Sequence, residues 1–190
     1  IKEIIENGRI GDLQYLYSNR LNLGKVRTEE NVFWSLAPHD IAIFQYLTNS
    51  FPKLIQSKGS TFLQQGIPDS TMMNIEYENG IEGHIFVSWL HPFKEHRLVV
   101  IGSKAMISFE DSMDSKPLKL YSKKFDLTGG VPEKVDGPVE LISYEQKMPL
   151  FQELKYFLKH LDGEKPAIAD GKNGLEVVKI LVRASEQLLS

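Results

Sequence analysis

An Asn79-Gly80 pair stands between two runs that alternate apolar and polar residues, and nothing else in the chain constrains its fold as strongly. Met73, Ile75 and Tyr77 precede the pair, and Ile81, Gly83, Ile85, Val87 and Trp89 follow it. Asn and Gly tolerate the positive φ of a two-residue turn, so the pattern predicts an antiparallel hairpin. Arg97 to Ile101 and Ala105 to Phe109, across Gly102-Ser103-Lys104, read as a second hairpin. Leu118 to Tyr121 and Val139 to Tyr144 read as further strands, and Leu13, Tyr15 and Tyr17 alternate with Gln14, Leu16 and Ser18 in a strand leaving the Gly11-Asp12 turn. The middle of the chain is therefore one antiparallel-rich sheet.

Helical spacing frames this sheet. Ile1, Ile4 and Ile5 share a face ahead of Gly8, as at the end of a helix. Leu23 to Val32 is polar, basic at Lys25 and Arg27, and reads as a loop. From about Pro38, the spacing of Ile41, Phe44 and Leu47 predicts a helix that ends before Asn49-Ser50-Phe51-Pro52. Residues 126–138 are dense in Gly and Pro and read as a surface loop. Two amphipathic helices close the chain. Leu150, Phe151, Leu154, Phe157, Leu158 and Leu161 form one stripe, and Leu175, Val178, Leu181, Val182, Leu188 and Leu189 form the other. Strands followed by helices, without βαβ alternation, indicate an α+β fold whose large open, predominantly antiparallel sheet carries helices on one face. The second face is left for solvent or a partner.

Composition narrows the function classes. The 190 residues are ordinary globular material, at 42% hydrophobic and 25% charged, and suit a single domain over 1–190. A net charge of −3 gives no overall positive field to draw in nucleic acid or an anionic membrane. With no cysteine there is no disulfide, thiolate metal site or cysteine nucleophile, which suits a reducing compartment and makes the cytoplasm the expected location. The longest unbroken apolar runs, Ile41–Phe44 and Leu98–Ile101, have four residues against the ~20 a spanning helix needs. The chain opens at Ile1 with no signal pattern, as a fragment or processed product would.

No Gly-rich dinucleotide turn, phosphate loop, zinc-protease motif, nucleophile elbow or calcium loop occurs. The most informative stretch is Asn31 to Ala42, which places His39 and Asp40 at the expected first turn of a helix after a polar loop. On spacing alone, the same two residues equally suit a plain helix start. Lys25 and Arg27 are candidates for contact with a carboxylate or diphosphate, or are simply solvated loop charges. His91, Lys94, His96 and Arg97 cluster around Pro92 but lack carboxylates at ligand spacing, so no metal site is expected. Glu82, His84 and Ser88 share the polar side of their strand, interrupted by Phe86, and mark a surface that a partner can meet.

Trp34-Ser35-Leu36-Ala37-Pro38-His39-Asp40-Ile41, followed by a helix and a long sheet, resembles the C-terminal domain of the glucose-fructose oxidoreductase, inositol dehydrogenase and rhizopine-catabolism (Gfo/Idh/MocA) family. Ile1 to Asp12 resembles that family's passage out of its nucleotide-binding domain, Ser88 to Met106 its central strands, and Glu153 to His160 with Gly174 to Ser185 its closing helices. The resemblance implies a dihydrodipicolinate-reductase-like C-terminal domain that binds substrate and oligomerises as a homodimer or homotetramer through the open sheet face. It further implies an N-terminal Rossmann domain outside this chain, which holds NAD or NADP, so that this chain alone is inactive. In the family's Asp-x-x-x-His signature the His falls on His39, the proton acceptor for a sugar or nucleotide-sugar hydroxyl. The Asp position falls on Ser35, whose hydroxyl can bond a sugar hydroxyl without carrying charge. Trp34 and Asp40 flank these two as further candidate substrate contacts. Glu164-Lys165-Pro166 spells the family's catalytic-lysine motif, but in the wrong domain; Lys165 is expected to sit between the closing helices. The alternative is a non-catalytic, sheet-mediated assembly or sugar-binding module.

Overall fold

The computed structural model describes residues 1–188, so Leu189, the last member of the predicted closing stripe, lies outside the described residues. In chain order the elements are α1 (Lys2–Glu6), β1 (Leu13–Leu21), α2 (Val32–Thr48), β2 (Pro52–Ser60), β3 (Ser70–Tyr77), β4 (Glu82–Ser88), β5 (Glu95–Gly102), β6 (Met106–Glu110) and β7 (Leu118–Tyr121). β8 (Lys124–Asp126), β9 (Glu133–Val135), β10 (Val139–Ile142), α3 (Pro149–Lys159) and α4 (Gly171–Ser185) follow. Eight strands form one mixed sheet in the order β10-β7-β6-β5-β1-β4-β3-β2. All its pairings are antiparallel except the central β1–β4 pair, which is parallel with Tyr17 opposite His84. The predicted hairpin joins β3 to β4, but only Gly80 of the pair has a positive φ (80°) and the Tyr77 amide bonds the Ile81 carbonyl, so the connection is a three-residue loop and not the two-residue turn expected.

Strand alternation divides the sheet into two unlike faces. Leu16, Met73, Ile75, Ile85, Val87, Leu98, Val100 and Ile107 are buried on one side and join Phe33, Ala37, Ile41 and Phe44 of α2 and Ile180, Leu181 and Ala184 of α4 in one core. The predicted α+β layering is what the chain adopts. The other face carries Tyr15, Tyr17, Glu82, His84, Phe86, Val99, Met106 and Tyr121, and no helix covers it. In β1 the aromatic row thus lies on the open side, while Leu16 and Ser18 meet the core.

The helices are set by their caps. The Asn31 side chain accepts from the Trp34 amide at 3.0 Å, which starts α2 at Val32. Asp170 and Asn173 close a capping box at the start of α4. The far end of α4 is fixed on β2. Ser57 Oγ donates to the Ala184 carbonyl, and the Gln187 amide bonds both Ser57 N at 2.9 Å and the Ile55 carbonyl at 3.0 Å along the outer edge of that strand.

Two expectations need correction. Of the closing helices, α4 covers the sheet but α3 does not: none of its residues is buried, and its stripe from Leu150 to Leu161 is 53–66% exposed. Its amphipathic pattern marks a face made for something other than this sheet. The stretch 126–138, read as loop, includes strand β9 and the turn of a small β8–β9 hairpin whose side chains are largely exposed, which leaves no hydrophobic alternation to announce it.

Gly83 sits in the central strand pair, where an added Cβ would meet the Leu16 carbonyl and the Phe44 ring. Gly83→Ala is expected to cost about 2 kcal/mol and lower the melting temperature by about 5 °C. Gly129→Ala, where a Cβ meets nothing, is expected to leave it unchanged; thermal unfolding of both variants checks this.

Candidate functional site

The site is built on α2. Its inward stripe of Phe33, Ala37, Asp40, Ile41 and Phe44 is buried against the sheet, which turns the side chains of Ser35, His39, Ile43 and Tyr46 to the opposite side. His39 is exposed there, one turn beyond the half-buried Ser35, so the two side chains share a face. His39 and Asp40 lie in the third turn of the helix, not in its first. The spacing of Ile41, Phe44 and Leu47 places the start of the helix near Pro38; the Asn31 cap instead starts it about two turns earlier and leaves Pro38 inside.

Asp40 points inward, 4% exposed. Its Oδ2 accepts from Arg20 Nε at 2.7 Å and its Oδ1 from Arg20 Nη2 at 3.2 Å, a two-point pair between α2 and β1. Arg20 Nη1 also lies 3.4 Å from His96 Nδ1. Burial first, then the Arg20 and Lys94 charges, hold the His96 imidazole below its ordinary value. Asp40 therefore anchors the helix from beneath while its neighbour His39 faces out. Sequence analysis missed Arg20 as a partner, although the signal was present: Arg20 shares strand parity with buried Leu16 and Ser18, and a cation on a buried face requires a counter-charge.

Below the start of α2, Thr28, Glu29, Glu30, Asn31, Trp34, Gly66 and Ile67 line a cavity of about 470 Å³. Trp34 is half-buried, and its Nε1 donates to Ser185 Oγ at 2.8 Å, tying α2 to α4. Arg27 is exposed, pairs with Glu30 at 2.8 Å and offers its carbonyl to Gln64. Lys25 is exposed in the same loop, and Lys165 is exposed between α3 and α4. The charged groups lining the cavity are thus carboxylates, and the two basic residues of the loop stand outside it.

A second cluster lies on the open sheet face. The Tyr15 hydroxyl bonds His84 Nδ1, and the Tyr17 ring stacks on the imidazole at 4.9 Å and 8°. Burial lowers the His84 pKa. Ser88, expected on the same polar face, is buried at the strand end and donates to the Asp69 carbonyl. Among the described residues no group of three or more His, Cys, Asp or Glu is placed to hold a metal, and no helix is long and apolar enough to cross a membrane.

A family model described as the GFO/IDH/MocA C-terminal domain matches residues 1–108, over half the chain and including β1, all of α2 and the strands to β5. The chain belongs to this family. No curated protein matches it. Among solved structures, UDP-N-acetylglucosamine 3-dehydrogenase GnnA from Acidithiobacillus ferrooxidans superposes with a TM-score of 0.81 at 19% identity, covering 98% of this chain and 58% of that one. The aldose-aldose oxidoreductase of Caulobacter crescentus, complexed with glycerol, gives 0.75 at 12% identity over 98% and 56%. An oxidoreductase from Agrobacterium radiobacter, in complex with NAD+, L-tartaric acid and magnesium, gives 0.71 at 15% over 98% and 57%. At these identities the likeness establishes the fold. The chain spans somewhat over half the length of these structures.

As a Gfo/Idh/MocA C-terminal domain the chain presents Ser35 and His39 outward and spends Asp40 on an internal ion pair. Asp40→Ala leaves Arg20 buried without its carboxylate and is expected to destabilise the fold by about 3–5 kcal/mol, whereas Asp40→Leu with Arg20→Met restores most of that loss. Chemical denaturation of the single and double variants measures both.

His84 and His96, whose pKa values burial lowers, set an acid limit. A group whose pKa is lowered on folding binds more protons when unfolded, so stability is expected to fall as the pH drops below about 6.5, the ordinary histidine value, toward the lowered folded values. Replacing both His84 and His96 with Gln should flatten that slope in urea midpoints taken from pH 8 to pH 5.

Proposed function

We propose that residues 1–190 form the substrate-binding and oligomerisation domain of an NAD(P)-dependent oxidoreductase acting on a hydroxyl of a sugar or nucleotide-sugar, with His39 as proton acceptor. The observation that carries this reading is the division of labour on α2: Asp40 is locked to Arg20 beneath the helix, while His39 stands exposed above it beside Ser35. An imidazole can take a hydroxyl proton as general base and release it again. Ser35 then holds a neighbouring sugar hydroxyl as donor or acceptor. The activities of two similar structures, a UDP-N-acetylglucosamine 3-dehydrogenase and an aldose-aldose oxidoreductase, support a sugar as the substrate class.

The cavity at the start of α2 does not suit the diphosphate of a dinucleotide. It is lined by Glu29 and Glu30, which repel a diphosphate, and the Asn31 side chain already occupies the Trp34 amide there. The reading therefore assigns the dinucleotide, which takes up the hydride, to a separate nucleotide-binding domain of the same oxidoreductase. This chain contributes the substrate contacts and the proton acceptor. In the oxidoreductase that carries this domain, His39→Ala is expected to lower kcat by about 10²–10⁴-fold, with UDP-N-acetylglucosamine as the first substrate to assay. Turnover at the unsubstituted rate would remove His39 from the reaction.

The open sheet face supports self-association, and it is also what favours the second reading, a non-catalytic assembly module. Eight strands spaced ~4.8 Å apart and about six residues long present roughly 750 Å², close to the ~800 Å² each partner gives to a standard interface. Tyr15, Tyr17, Phe86, Val99, Met106 and Tyr121 supply apolar and aromatic area across it. Light scattering at micromolar concentration is expected to give at least twice the 21.6 kDa chain mass, and Tyr17→Glu is expected to return it to one chain.

A further inference from the structure

Tyr15, Tyr17 and His84 form a cluster on the open sheet face, on β1 and β4, which lie in the middle of the eight-stranded order. Tyr17 and His84 stand opposite each other in the ladder, and their rings stack at 4.9 Å with 8° between planes. The Tyr15 ring lies 5.6 Å from the same imidazole, and its hydroxyl bonds Nδ1. Burial, then the neighbouring Tyr17 and Glu82, raises the Tyr15 phenol above its ordinary range, so it keeps its proton and donates to Nδ1. The imidazole that accepts this bond is neutral, because a protonated ring carries hydrogen on both nitrogens and has nothing to accept with. The cluster is therefore built around one protonation state.

Covering the face makes that state matter. Two sheets packed face to face lie ~10 Å apart with interdigitated side chains, and water leaves the space between them. On an uncovered chain an imidazolium at His84 keeps its contact with water and has the Tyr17 ring against its face, where a cation is favoured. Under a second sheet it loses that water. The groups around it offer little in return. On β4, Glu82 shares the side of His84 and is exposed. On β3 the residue opposite His84 is the uncharged Asn74, and Glu76 is already bonded to Lys53 at 2.7 Å. On β1 the neighbours are the two tyrosines and Asn19, which donates to Glu95 at 2.7 Å. Arg97 of β5, opposite Asn19, adds a like charge. We propose that protonation of His84 separates two copies of this chain joined through the open sheet face, so that self-association strengthens as the pH rises.

The proposal rests on the reading that a second copy covers the open face, and it adds to that reading the group that controls it. A two-fold pair holds two copies of His84, and each loses its proton on association. The dissociation constant therefore rises as the pH falls, tending to about a hundredfold per pH unit where both imidazoles are protonated on the separate chains and neutral in the pair. The other four histidines stand elsewhere. His39 is on the outer side of α2, His96 on the helix side of the sheet beside Arg20, and His160 on the last turn of α3. His91 lies past the end of β4, against Phe93 and 4.0 Å from Glu95.

The test is sedimentation velocity of the 190-residue chain carrying a fluorophore, diluted from micromolar to sub-nanomolar concentration at pH values from 8 to 5, with circular dichroism to confirm that it stays folded. In the unsubstituted chain the dissociation constant is expected to rise by at least about fivefold from pH 8 to pH 5. His84→Gln keeps a neutral polar group there, and its constant should hold within about twofold over the same range. His96→Gln, which removes a histidine from the other side of the sheet, should keep the full dependence. Tyr15→Phe removes the bond that favours the neutral ring, so dissociation should set in at a higher pH; this variant carries the test if His84→Gln does not fold. A constant that is flat with pH, that falls as the pH falls, or that rises equally in His84→Gln overturns the proposal. A single chain at every pH and concentration would instead remove the self-association reading, and this proposal with it.

Discussion

The pair between Arg20 and Asp40 fixes how α2 lies on the sheet. An amphipathic helix over an apolar surface can roll about its axis at modest cost, because hydrophobic contact is not directional. A part-buried two-point ion pair is directional, and among the described residues no other carboxylate bonds Arg20. With Asp40 held inward, the angular offset between consecutive helical residues turns His39 outward, and Ser35 follows on the same side. The outward direction of His39 is therefore set by its inward-held neighbour.

This arrangement clarifies what the amino-acid sequence discloses. The hairpins around Asn79-Gly80 and Gly102-Ser103-Lys104 are legible because turn chemistry and strand alternation agree locally. The parallel pairing of β1 with β4 is not, since it joins segments nearly 70 residues apart and no local pattern records it. The start of α2 was misplaced because the helical spacing was read from Ile41 onward, whereas the Asn31 cap and the buried Val32, Phe33 and Ala37 carry the helix back to Val32. Of the candidate site, His39 and Ser35 were marked by the resemblance of their stretch to the family's Asp-x-x-x-His signature, whereas Asp40 could be assigned its role only once Arg20 was known to lie across from it. Lys25 and Arg27 were singled out by charge, and the fold places both outside the acidic cavity they precede.

The two apolar stripes of the closing helices show the same limit from the other side. They look alike in sequence, yet α4 is drawn onto the sheet by Ser57, Gln187 and Trp34, and α3 has no such polar ties to it. Periodicity shows that a face is built to be covered; it does not say by what. The polar contacts that select the covering surface involve single residues far apart in the chain.

Gln187 carries a consequence for how copies of this chain can combine. Its amide occupies the outer backbone groups of Ser57 and Ile55, where an edge strand would otherwise recruit another strand. The opposite edge, β10, is only four residues long. Growth of the sheet from one molecule into the next, which propagates without limit, is thereby hindered at both rims. The self-association proposed above is left to the broad face, where a two-fold arrangement would use up the surface in a single step and stop.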